Sequence, residues 1–294
     1  MIRTACAVAL LLFAHPAFAA PEHRQLARPD GSPIHYRLDM PTGPSSGMVV
    51  LFTGSGCLPG AVNANIALAR AAFPTFTALI VEKAGITPDS PITDGFTDCP
   101  PAFHAHHTPS QRVADTAQVL SYLAPAQPLV LFGGSEGGLA VAMLSAVVEA
   151  DAAIILSSGI DMSFADIVLS TVPAEGQAFV SAGLAAARDD PTGSALFAGS
   201  SHRFWADILR QRAIDPMRET DTPFLLIQGG RDASSPVAAA RHGADAYAAE
   251  GRCNLTYWEF PALDHGMNDP GGSSHMATVL AMAALWAGAS KPAC

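Results

Sequence analysis

Charged and aromatic residues are scarce in this chain of 294 residues, at 14% and 7% of its composition. An average soluble protein has about 25% charged residues. Disordered proteins combine high charge with few apolar residues, so a chain that is 49% hydrophobic does not belong to that class. With so few aromatic residues, the apolar share must come mainly from small aliphatic side chains. The composition therefore allows a large core, in one large domain or two small ones.

Basic residues are also few, with 16 Lys and Arg against 26 Asp and Glu, which gives a formal net charge of -10. A surface of this sign repels phosphate backbones, so we expect no nucleic-acid partner. Beyond the N-terminal segment, Gly, Pro or charged residues interrupt every apolar run before it reaches the length of a membrane-spanning helix. The sequence therefore predicts no stable membrane span, and it leaves the oligomeric state open.

The N-terminal segment has the features of an export signal. Arg3 precedes an apolar run over residues 5–14, and an Ala-Phe-Ala sequence ending at Ala19 has the small-x-small pattern of a signal peptidase site. The run is about half as long as a membrane-spanning helix, which argues against a short anchor. We predict that residues 1–19 are a signal peptide, that residues 20–294 form the mature domain, and that the protein is secreted or periplasmic.

Export changes the interpretation of the cysteines. Removal of Cys6 with the signal segment leaves Cys57, Cys99, Cys253 and Cys294. An even number in an oxidising compartment favours two disulfides over four buried free thiols, and the sequence allows three pairings. None of the four has CxxC spacing, so we predict no metal site at these cysteines.

The mature chain alternates apolar segments of strand length with Ala- and Leu-rich segments of helical length. The strand-like segments are 24–27, 34–38, 48–53, 78–82, 129–132, 153–157, 224–228 and 255–260, and the helical ones are 62–72, 112–123, 137–149, 237–250 and 275–287. The first two strands flank a Pro-Asp-Gly-Ser turn and predict a leading hairpin. The alternation predicts an α/β fold, a mostly parallel central sheet with helices on both faces.

One stretch, residues 161 to about 222, departs from this alternation. It contains helical pieces but no convincing strand. At about 60 residues it is too long for an ordinary connection. We interpret it as a helical cap inserted over one end of the sheet.

The sharpest motif lies at residues 133–137. They read Gly-Gly-Ser-Glu-Gly, which matches G-x-S-x-G directly after a strand-like segment and directly before a helical one. In that context the turn raises the hydroxyl of Ser135 above the sheet, at a helix N-terminus whose dipole favours developing negative charge. The context favours a nucleophile over an ordinary Gly-rich turn.

A serine nucleophile needs a base, and the base needs an acid that orients it. Asp232 follows the segment 224–228 through Gly-Gly-Arg, and His265 follows the segment 255–260 through Pro-Ala-Leu-Asp. Each would stand past the carboxyl end of a strand, where open α/β sheets place their sites. We therefore predict a catalytic triad of Ser135, Asp232 and His265.

Other residues compete for these two roles. Asp161 also follows a strand-like segment, but no Gly-rich loop comes after it. Asp264 adjoins His265, yet neighbours in sequence rarely present their side chains suitably to each other. His275 begins the last helical segment and is the main rival base, whereas His242 lies within a helical pattern that suggests a surface position.

A tetrahedral intermediate needs two backbone N–H donors for its oxyanion. We expect one from Glu136, the residue after the nucleophile. The other is expected from residues 53–57, Thr-Gly-Ser-Gly-Cys, with Ser55 preferred and Gly56 second. The carboxylate of Glu136 could bind a substrate amine, but a first-turn acid that offsets the helix dipole by roughly 0.3–1 kcal/mol is the plainer interpretation.

Three histidines, His104, His106 and His107, resemble a metal cluster. Prolines surround them and no acidic ligand lies between them. We therefore predict a flexible, solvated loop at this position. No metal site and no metal or organic cofactor is predicted for the chain.

With these motifs the sequence resembles the α/β-hydrolase superfamily of serine hydrolases, over residues 48 to 287. It looks most similar to secreted bacterial members with a Gly-Gly-Ser-x-Gly-Gly elbow, which are related to esterases and to the prolyl-oligopeptidase-like branch. The chain departs from the usual His-Gly of the oxyanion loop, because residues 53–54 are Thr-Gly. The resemblance implies the α/β-hydrolase fold, with two cysteines near the site and two toward the opposite end of the sheet. The implied disulfides are Cys57–Cys99 and Cys253–Cys294.

The resemblance implies a secreted serine hydrolase that cleaves a carboxylic ester through an acyl-enzyme. Phe204 and Trp205 of the cap are expected to form walls of the substrate pocket. The expected partner is a small ester or amide, and the acidic composition disfavours highly anionic substrates. An amidase or peptidase of the same fold is the nearest alternative. A non-catalytic binding protein is the other, against which the complete triad argues.

Overall fold

The computed structural model describes residues 18–125 and 128–289. The strands are β1 (Glu22–Ala27), β2 (Pro33–Asp39), β3 (Met48–Phe52), β4 (Thr77–Val81), β5 (Leu129–Gly134), β6 (Ala152–Leu156), β7 (Leu196–Phe197), β8 (Ser200–Ser201), β9 (Phe224–Gly229) and β10 (Leu255–Phe260). The helices are α1 (Ala64–Ala72), α2 (Pro101–His106), α3 (Pro109–Leu123), α4 (Glu136–Ser145), α5 (Phe164–Thr171), α6 (Ala174–Asp189), α7 (His202–Ile208), α8 (Ile214–Met217), α9 (Val237–Ala249) and α10 (Met276–Gly288).

Eight strands form one sheet in the order β1-β2-β4-β3-β5-β6-β9-β10. β2 pairs antiparallel with both β1 and β4, and every other pairing in the sheet is parallel. The predicted leading hairpin and mostly parallel sheet are confirmed. Because β5, β9 and β10 run in the same direction, their carboxyl ends meet at one edge, and the three predicted triad residues follow these three strands.

Alternate side chains of the central strands enter two different core layers. In β3, Val49 and Leu51 pack into the cluster that contains residues of α1 and α10, whereas Val50 and Phe52 pack into the cluster that contains residues of α3 and α4. A strand presents successive side chains to opposite faces, so a strand buried on both sides must be apolar throughout. This explains the continuous apolar runs of the sequence, and it confirms helices on both faces.

The connection between β6 and β9 holds the segment that the sequence predicts as a cap. It contains α5, α6, α7 and α8, and residues 161–222 are called the cap segment below. It also contains a short antiparallel pair, β7 and β8, that the sequence pattern did not predict. Two residues per strand are too few to leave a periodic signal.

The structure contains the disulfide between Cys57 and Cys99, which confirms that pairing. Cys253 is disulfide-bonded as well, but Cys294, its predicted partner, lies outside the described residues. Residues 1–17 of the predicted signal peptide also lie outside them. Within residues 18–125 and 128–289, no helix is both long and apolar enough to cross a bilayer.

Candidate active site

Ser135 stands at the sharp turn between β5 and α4. Its backbone has φ 54° and ψ -125°, a conformation that residues other than glycine rarely adopt and that marks strain at functional sites. The N–H of Ser135 donates to Leu156 O at 2.9 Å, and the N–H of Gly138 donates to Ser135 O at 2.9 Å. Hydrogen bonds on both sides therefore hold the serine at the N-terminus of α4.

Two glycines beside Ser135 let this turn pack against the sheet. A Cβ on Gly133 would lie 2.2 Å from the carbonyl oxygen of Gly137, and a Cβ on Gly137 would lie 2.7 Å from the carbonyl oxygen of Thr53. Both distances are far inside van der Waals contact. A side chain at either position would therefore push the start of α4 away from its neighbours.

Asp232 follows β9 and is buried. Its Oδ1 accepts from the N–H groups of Ser234 and Ser235, both at 2.8 Å, and its Oδ2 accepts from Gln228 Nε2 at 2.8 Å. Burial alone would raise the pKa of Asp232, but the hydrogen bonds from His265 and from these N–H groups hold that pKa below its usual range. The side chain is therefore a fixed carboxylate.

His265 follows β10 and is held from two directions. Its Nδ1 lies 2.8 Å from Asp232 Oδ2 and 3.0 Å from Asp232 Oδ1. Its carbonyl oxygen accepts from Ser157 Oγ at 2.9 Å, and Ser157 itself has a positive φ of 50° just past β6. With Nδ1 engaged by the carboxylate, Nε2 is the nitrogen left for a reacting group.

Ser135 and His265 line the same cavity, of 110 Å³, together with Gly54 and Ser157. In the part of the chain that the structure describes, no hydrogen bond joins the side chains of Ser135 and His265. Contacts of this kind are commonly long before substrate binds and tighten in the complex. The structure thus brings all three predicted triad residues to one place.

The competing acids and the rival base have other partners. Asp161 Oδ1 accepts from Arg212 at 2.8 Å. Asp264 Oδ1 accepts from two backbone N–H groups of its own loop, at 2.9 and 2.8 Å. His275 Nε2 lies 3.1 Å from Asp269 Oδ2, near the start of α10. These three residues stabilise loops and the cap segment.

The loop over residues 53–57, called the oxyanion loop below, passes beside the nucleophile. A Cβ on Gly54 would lie 3.7 Å from the Cβ of Ser135, and Ser55 lines a cavity of 210 Å³ together with Ser135. Among the described residues, nothing accepts a hydrogen bond from the N–H of Ser55 or of Glu136. Both N–H groups are therefore open to an oxyanion. Gly56, the second candidate donor, lines a different cavity.

The carboxylate of Glu136 has a larger role than offsetting a helix dipole. The side chain is 4% exposed, and its Oε1 lies 3.0 Å from Lys83 Nζ, 3.6 Å from Arg112 and 3.7 Å from His107 Nε2. Burial alone would raise the pKa of Glu136, but the Lys83 cation, His107 and Arg112 hold it well below its usual range. Lys83, His107, Arg112 and Glu136 are called the ionic cluster below.

The cations of the ionic cluster fasten the oxyanion loop. Burial, opposed by Glu136, lowers the pKa of Lys83 to about 8 and that of Arg112 to about 10, so both side chains are mainly charged at neutral pH. Arg112 donates to the carbonyl oxygen of Thr53 at 2.9 Å and to its Oγ1 at 2.8 Å. A buried arginine therefore holds Thr53, the residue at which the oxyanion loop departs from the usual His-Gly sequence.

The three-histidine segment is not the flexible, solvated loop that the sequence predicts. Residues 101–106 form α2, because Pro101 at the start of the helix has the φ that a first turn requires. His107 is 1% exposed and stacks on Phe103 with ring centroids 4.8 Å apart, while Phe204 lies 5.8 Å away. No group of three or more possible metal ligands occurs within residues 18–125 and 128–289.

Replacing His107 with phenylalanine is expected to weaken the acid sensitivity of folding. Burial lowers the pKa of His107 to about 4, from about 6.5 in an unfolded chain. Between these two pH values the imidazole is therefore protonated in the unfolded state and neutral in the folded state. Stability must then fall as pH drops through that window. His107→Phe should reduce the slope by up to about 1.4 kcal/mol per pH unit, measured by urea unfolding from pH 4.5 to 6.5. An unchanged slope would contradict a buried neutral imidazole.

The cap segment contributes to two cavities beside the site. Phe204 and Trp205, the predicted pocket residues, lie on α7 and line a cavity of 160 Å³ that also contains Ser55 and Glu136. Ser135 lines the 210 Å³ cavity, and Ser55 and Glu136 line that cavity as well. The apolar wall of the 210 Å³ cavity consists of Leu139, Met162, Phe164, Ile167, Val168 and Ala213. The predicted aromatic pair is thus adjacent to the cavity of the nucleophile, and α5 forms the nearer wall.

Comparison with known proteins gives similarity at the level of the fold. No protein-family model and no curated protein matches the chain. The ferulic-acid complex of Est1E from Butyrivibrio proteoclasticus matches with a TM-score of 0.63 at 17% identity, over 89% of this chain and 98% of that one. The esterase domain of a Rhodothermus marinus protein matches with a TM-score of 0.58 at 16% identity, over 92% of this chain and 98% of that one. A puromycin-hydrolysing peptidase of Mycobacterium tuberculosis matches with a TM-score of 0.60 at 18% identity, over 94% of this chain but 39% of the peptidase.

These solved structures are α/β-hydrolases, and the chain described here has the α/β-hydrolase fold. The α/β fold that the strand alternation predicts and the α/β-hydrolase fold that the resemblance implies are therefore both confirmed.

Proposed function

We propose that this protein is a serine hydrolase that cleaves carboxylic esters through an acyl-enzyme intermediate. One observation carries the proposal: Ser135, in a strained turn, shares a cavity with His265, whose Nδ1 is held 2.8 Å from the Asp232 carboxylate. A nucleophile, a base and an orienting acid are the three parts that acyl transfer by serine requires. The similarity in fold to esterases supports the same class.

Each group has a defined part in the proposed reaction. Ser135 Oγ attacks the ester carbonyl while His265 Nε2 takes its proton, and Asp232 stabilises the imidazolium that forms. The N–H groups of Ser55 and Glu136 bind the negative oxygen of the tetrahedral intermediate. His265 then gives its proton to the departing alcohol. Water, activated by the same histidine, releases the acid and restores the free serine. No metal or organic cofactor takes part in this scheme.

The ionic cluster favours an ester over an aminoacyl substrate. A carboxylate that recognised a substrate amine would need free lone pairs facing the cavity. The Glu136 carboxylate is instead 4% exposed and engaged by Lys83 and Arg112. The apolar wall of the 210 Å³ cavity and the net charge of -10 point in the same direction, toward a neutral substrate with an apolar acyl group. An amidase that acts on neutral amides is the second candidate.

A substrate panel tests the proposal directly. p-Nitrophenyl esters of increasing acyl length are compared with matched acyl and aminoacyl p-nitroanilides, and the protein is labelled in parallel with a fluorophosphonate. We expect labelling, and we expect kcat/KM for the best ester to be at least about 100-fold above that for its anilide, a preference of at least about 2.7 kcal/mol. Turnover of aminoacyl anilides alone would make the protein a peptidase. Folded protein that neither reacts with the probe nor turns over any substrate would be a binding protein.

We also propose that the protein is exported and loses residues 1–19. The Cys57–Cys99 disulfide supports this, because disulfides persist mainly in oxidising compartments. Phe18 lies against Arg70, with the guanidinium 3.9 Å from its ring centroid, so the proposed cleavage would remove that contact. The mass of the protein recovered from a bacterial periplasm or medium decides the question. Recovery of the full-length mass would contradict cleavage after Ala19.

A further inference from the structure

Lys83 lies two residues beyond β4, buried beneath the oxyanion loop. Its side chain is 3% exposed. Its Nζ donates to the carbonyl oxygen of Gly54 at 2.7 Å, to that of Gly56 at 2.8 Å, and to Glu136 Oε1 at 3.0 Å. An ammonium group has three N–H donors, and each of the three has its own acceptor. One atom therefore connects the oxyanion loop to the first residue of α4.

The contact with Gly54 sets the direction of a candidate oxyanion donor. The carbonyl of Gly54 and the N–H of Ser55 belong to the same peptide group, which is planar and trans. The two bonds therefore point in opposite directions. As long as Lys83 holds the carbonyl, the N–H of Ser55 must point away from the ionic cluster, and rotation of this peptide would break the 2.7 Å bond.

The contact with Glu136 links the second candidate donor to the same atom. The N–H of Glu136 is open, and the side chain of that residue is bound to Lys83. The two donors belong to segments that are about 80 residues apart in the chain. The pairing of β3 with β5 holds these segments side by side only as far as Phe52 and Gly133, three residues before each donor. A constraint on the separation of the donors themselves has to come from beyond the sheet. Lys83 supplies that constraint, since it holds both segments at one point.

Neighbouring groups restrain the loop but do not connect it to α4 in the same way. Arg112 donates to both oxygens of Thr53, at the start of the loop, and lies 3.6 Å from Glu136 Oε1 as an ion pair without a hydrogen bond. The carboxylate of Glu82 accepts from the N–H of Gly60, past its end, at 3.1 and 3.0 Å. Neither contacts the peptide groups on either side of Ser55. The flat, five-donor guanidinium of arginine could not replace the compact ammonium among these three acceptors.

From this geometry we propose that Lys83 is a positioning residue of the oxyanion hole: it fixes the N–H groups of Ser55 and Glu136 at the separation that a tetrahedral intermediate requires. The proposal rests on the proposed serine hydrolase function. Lys83 does not touch the substrate in this scheme. It acts only through the two backbone donors, so its loss should affect the transition state more than the bound ester.

The test is Lys83→Met, which keeps an unbranched apolar stem of similar length and removes the ammonium group with its three donors. With the best ester of the panel, and with active sites counted by fluorophosphonate titration, kcat per active site should fall about 10–100-fold. KM should stay within about twofold, because ground-state binding does not use the hole. A trifluoromethyl ketone forms a hemiketal with Ser135 Oγ, and the oxygen of the former ketone carbonyl then occupies the hole as an oxyanion. It should bind more weakly by the same factor as kcat/KM falls.

Two further variants separate positioning from stability. Arg70→Met removes another buried cation, which donates to the carbonyl oxygens of Asp39 and Phe73 away from the site. It should lower Tm but leave kcat per active site and ketone affinity within about twofold. Lys83→Gln retains two N–H donors and should recover part of the loss. If Lys83→Met does not fold, kcat per active site and ketone affinity are measured on Lys83→Gln instead.

The outcomes are distinct. A loss of kcat and of ketone affinity in Lys83→Met, absent in Arg70→Met, supports the proposal. Lys83 variants with wild-type kcat per active site and ketone affinity overturn it, and so does a rise in KM with unchanged kcat. Wild-type protein that hydrolyses no ester and binds no fluorophosphonate overturns the proposed function, and the role of Lys83 falls with it.

Discussion

Ser135→Ala is expected to lower kcat on the best ester by on the order of 10⁴–10⁶-fold, because the variant has no nucleophile for the acyl-enzyme pathway. The remaining rate would come from water attack assisted by the oxyanion donors. Binding of the ester should change little, since alanine removes one hydroxyl and leaves the cavity wall intact. The fold should also survive, although the backbone at position 135 has a positive φ that suits alanine no better than serine.

The measurement compares single-turnover rates and fluorophosphonate labelling of wild type and variant. Ser145→Ala is the matched control, because Ser145 lies at the other end of α4 and its hydroxyl donates to the carbonyl oxygen of Ala142 at 2.8 Å. The control should retain the wild-type rate and the label. If Ser135→Ala kept more than about one per cent of wild-type kcat, the acyl-enzyme mechanism would be wrong.

The placement of Ser135, Asp232 and His265 at one edge of the sheet could be predicted, because it depends on the best-defined elements of the sequence. Long apolar runs mark β5, β9 and β10, and parallel strands must bring their carboxyl ends to one edge.

The starts of the helices are predicted less exactly. The sequence pattern places one helix at residue 112, whereas α3 begins at Pro109, where Thr108 Oγ1 accepts from the N–H of Gln111. Thr108 and Pro109 form a recognisable helix start in the sequence. They precede the periodic apolar residues on which the predicted boundary is based, so the prediction begins three residues too late.

The ionic cluster could not be predicted from local patterns, because its members come from separate elements. Lys83 and Glu136 are 53 residues apart, and no spacing relates them. One signal was available: Glu82 and Lys83 directly follow a buried strand, at the edge where the triad residues also lie. Charged residues at that position are expensive to bury and need partners. The prediction of a loop at the histidines is wrong because Pro100 and Pro101, which commonly mark loops, stand at the start of α2.

Asp232→Asn should lower kcat by on the order of 10²–10⁴-fold, the second largest effect. The asparagine amide can present an N–H to His265 Nδ1 and so favour the tautomer whose Nε2 carries the proton, which cannot act as a base toward Ser135. It also removes the negative charge that stabilises the imidazolium. Hydrogen bonds from Gln228 Nε2 and from two backbone N–H groups hold the present carboxylate, so the amide would be left facing donors as well.

Asp269→Asn is the matched control for this change, since Asp269 also pairs with a histidine: its Oδ2 lies 3.1 Å from His275 Nε2. We expect wild-type kcat per active site in this variant. Rates are measured from pH 5 to 9, with the concentration of active sites determined by fluorophosphonate titration. This separates an impaired catalytic base from a loss of folded protein. Asp232→Asn should be labelled completely at long times but turn over the ester slowly. The assignment of the acid is wrong if Asp232→Asn keeps near wild-type kcat, and a large loss in Asp269→Asn instead would move the base to His275.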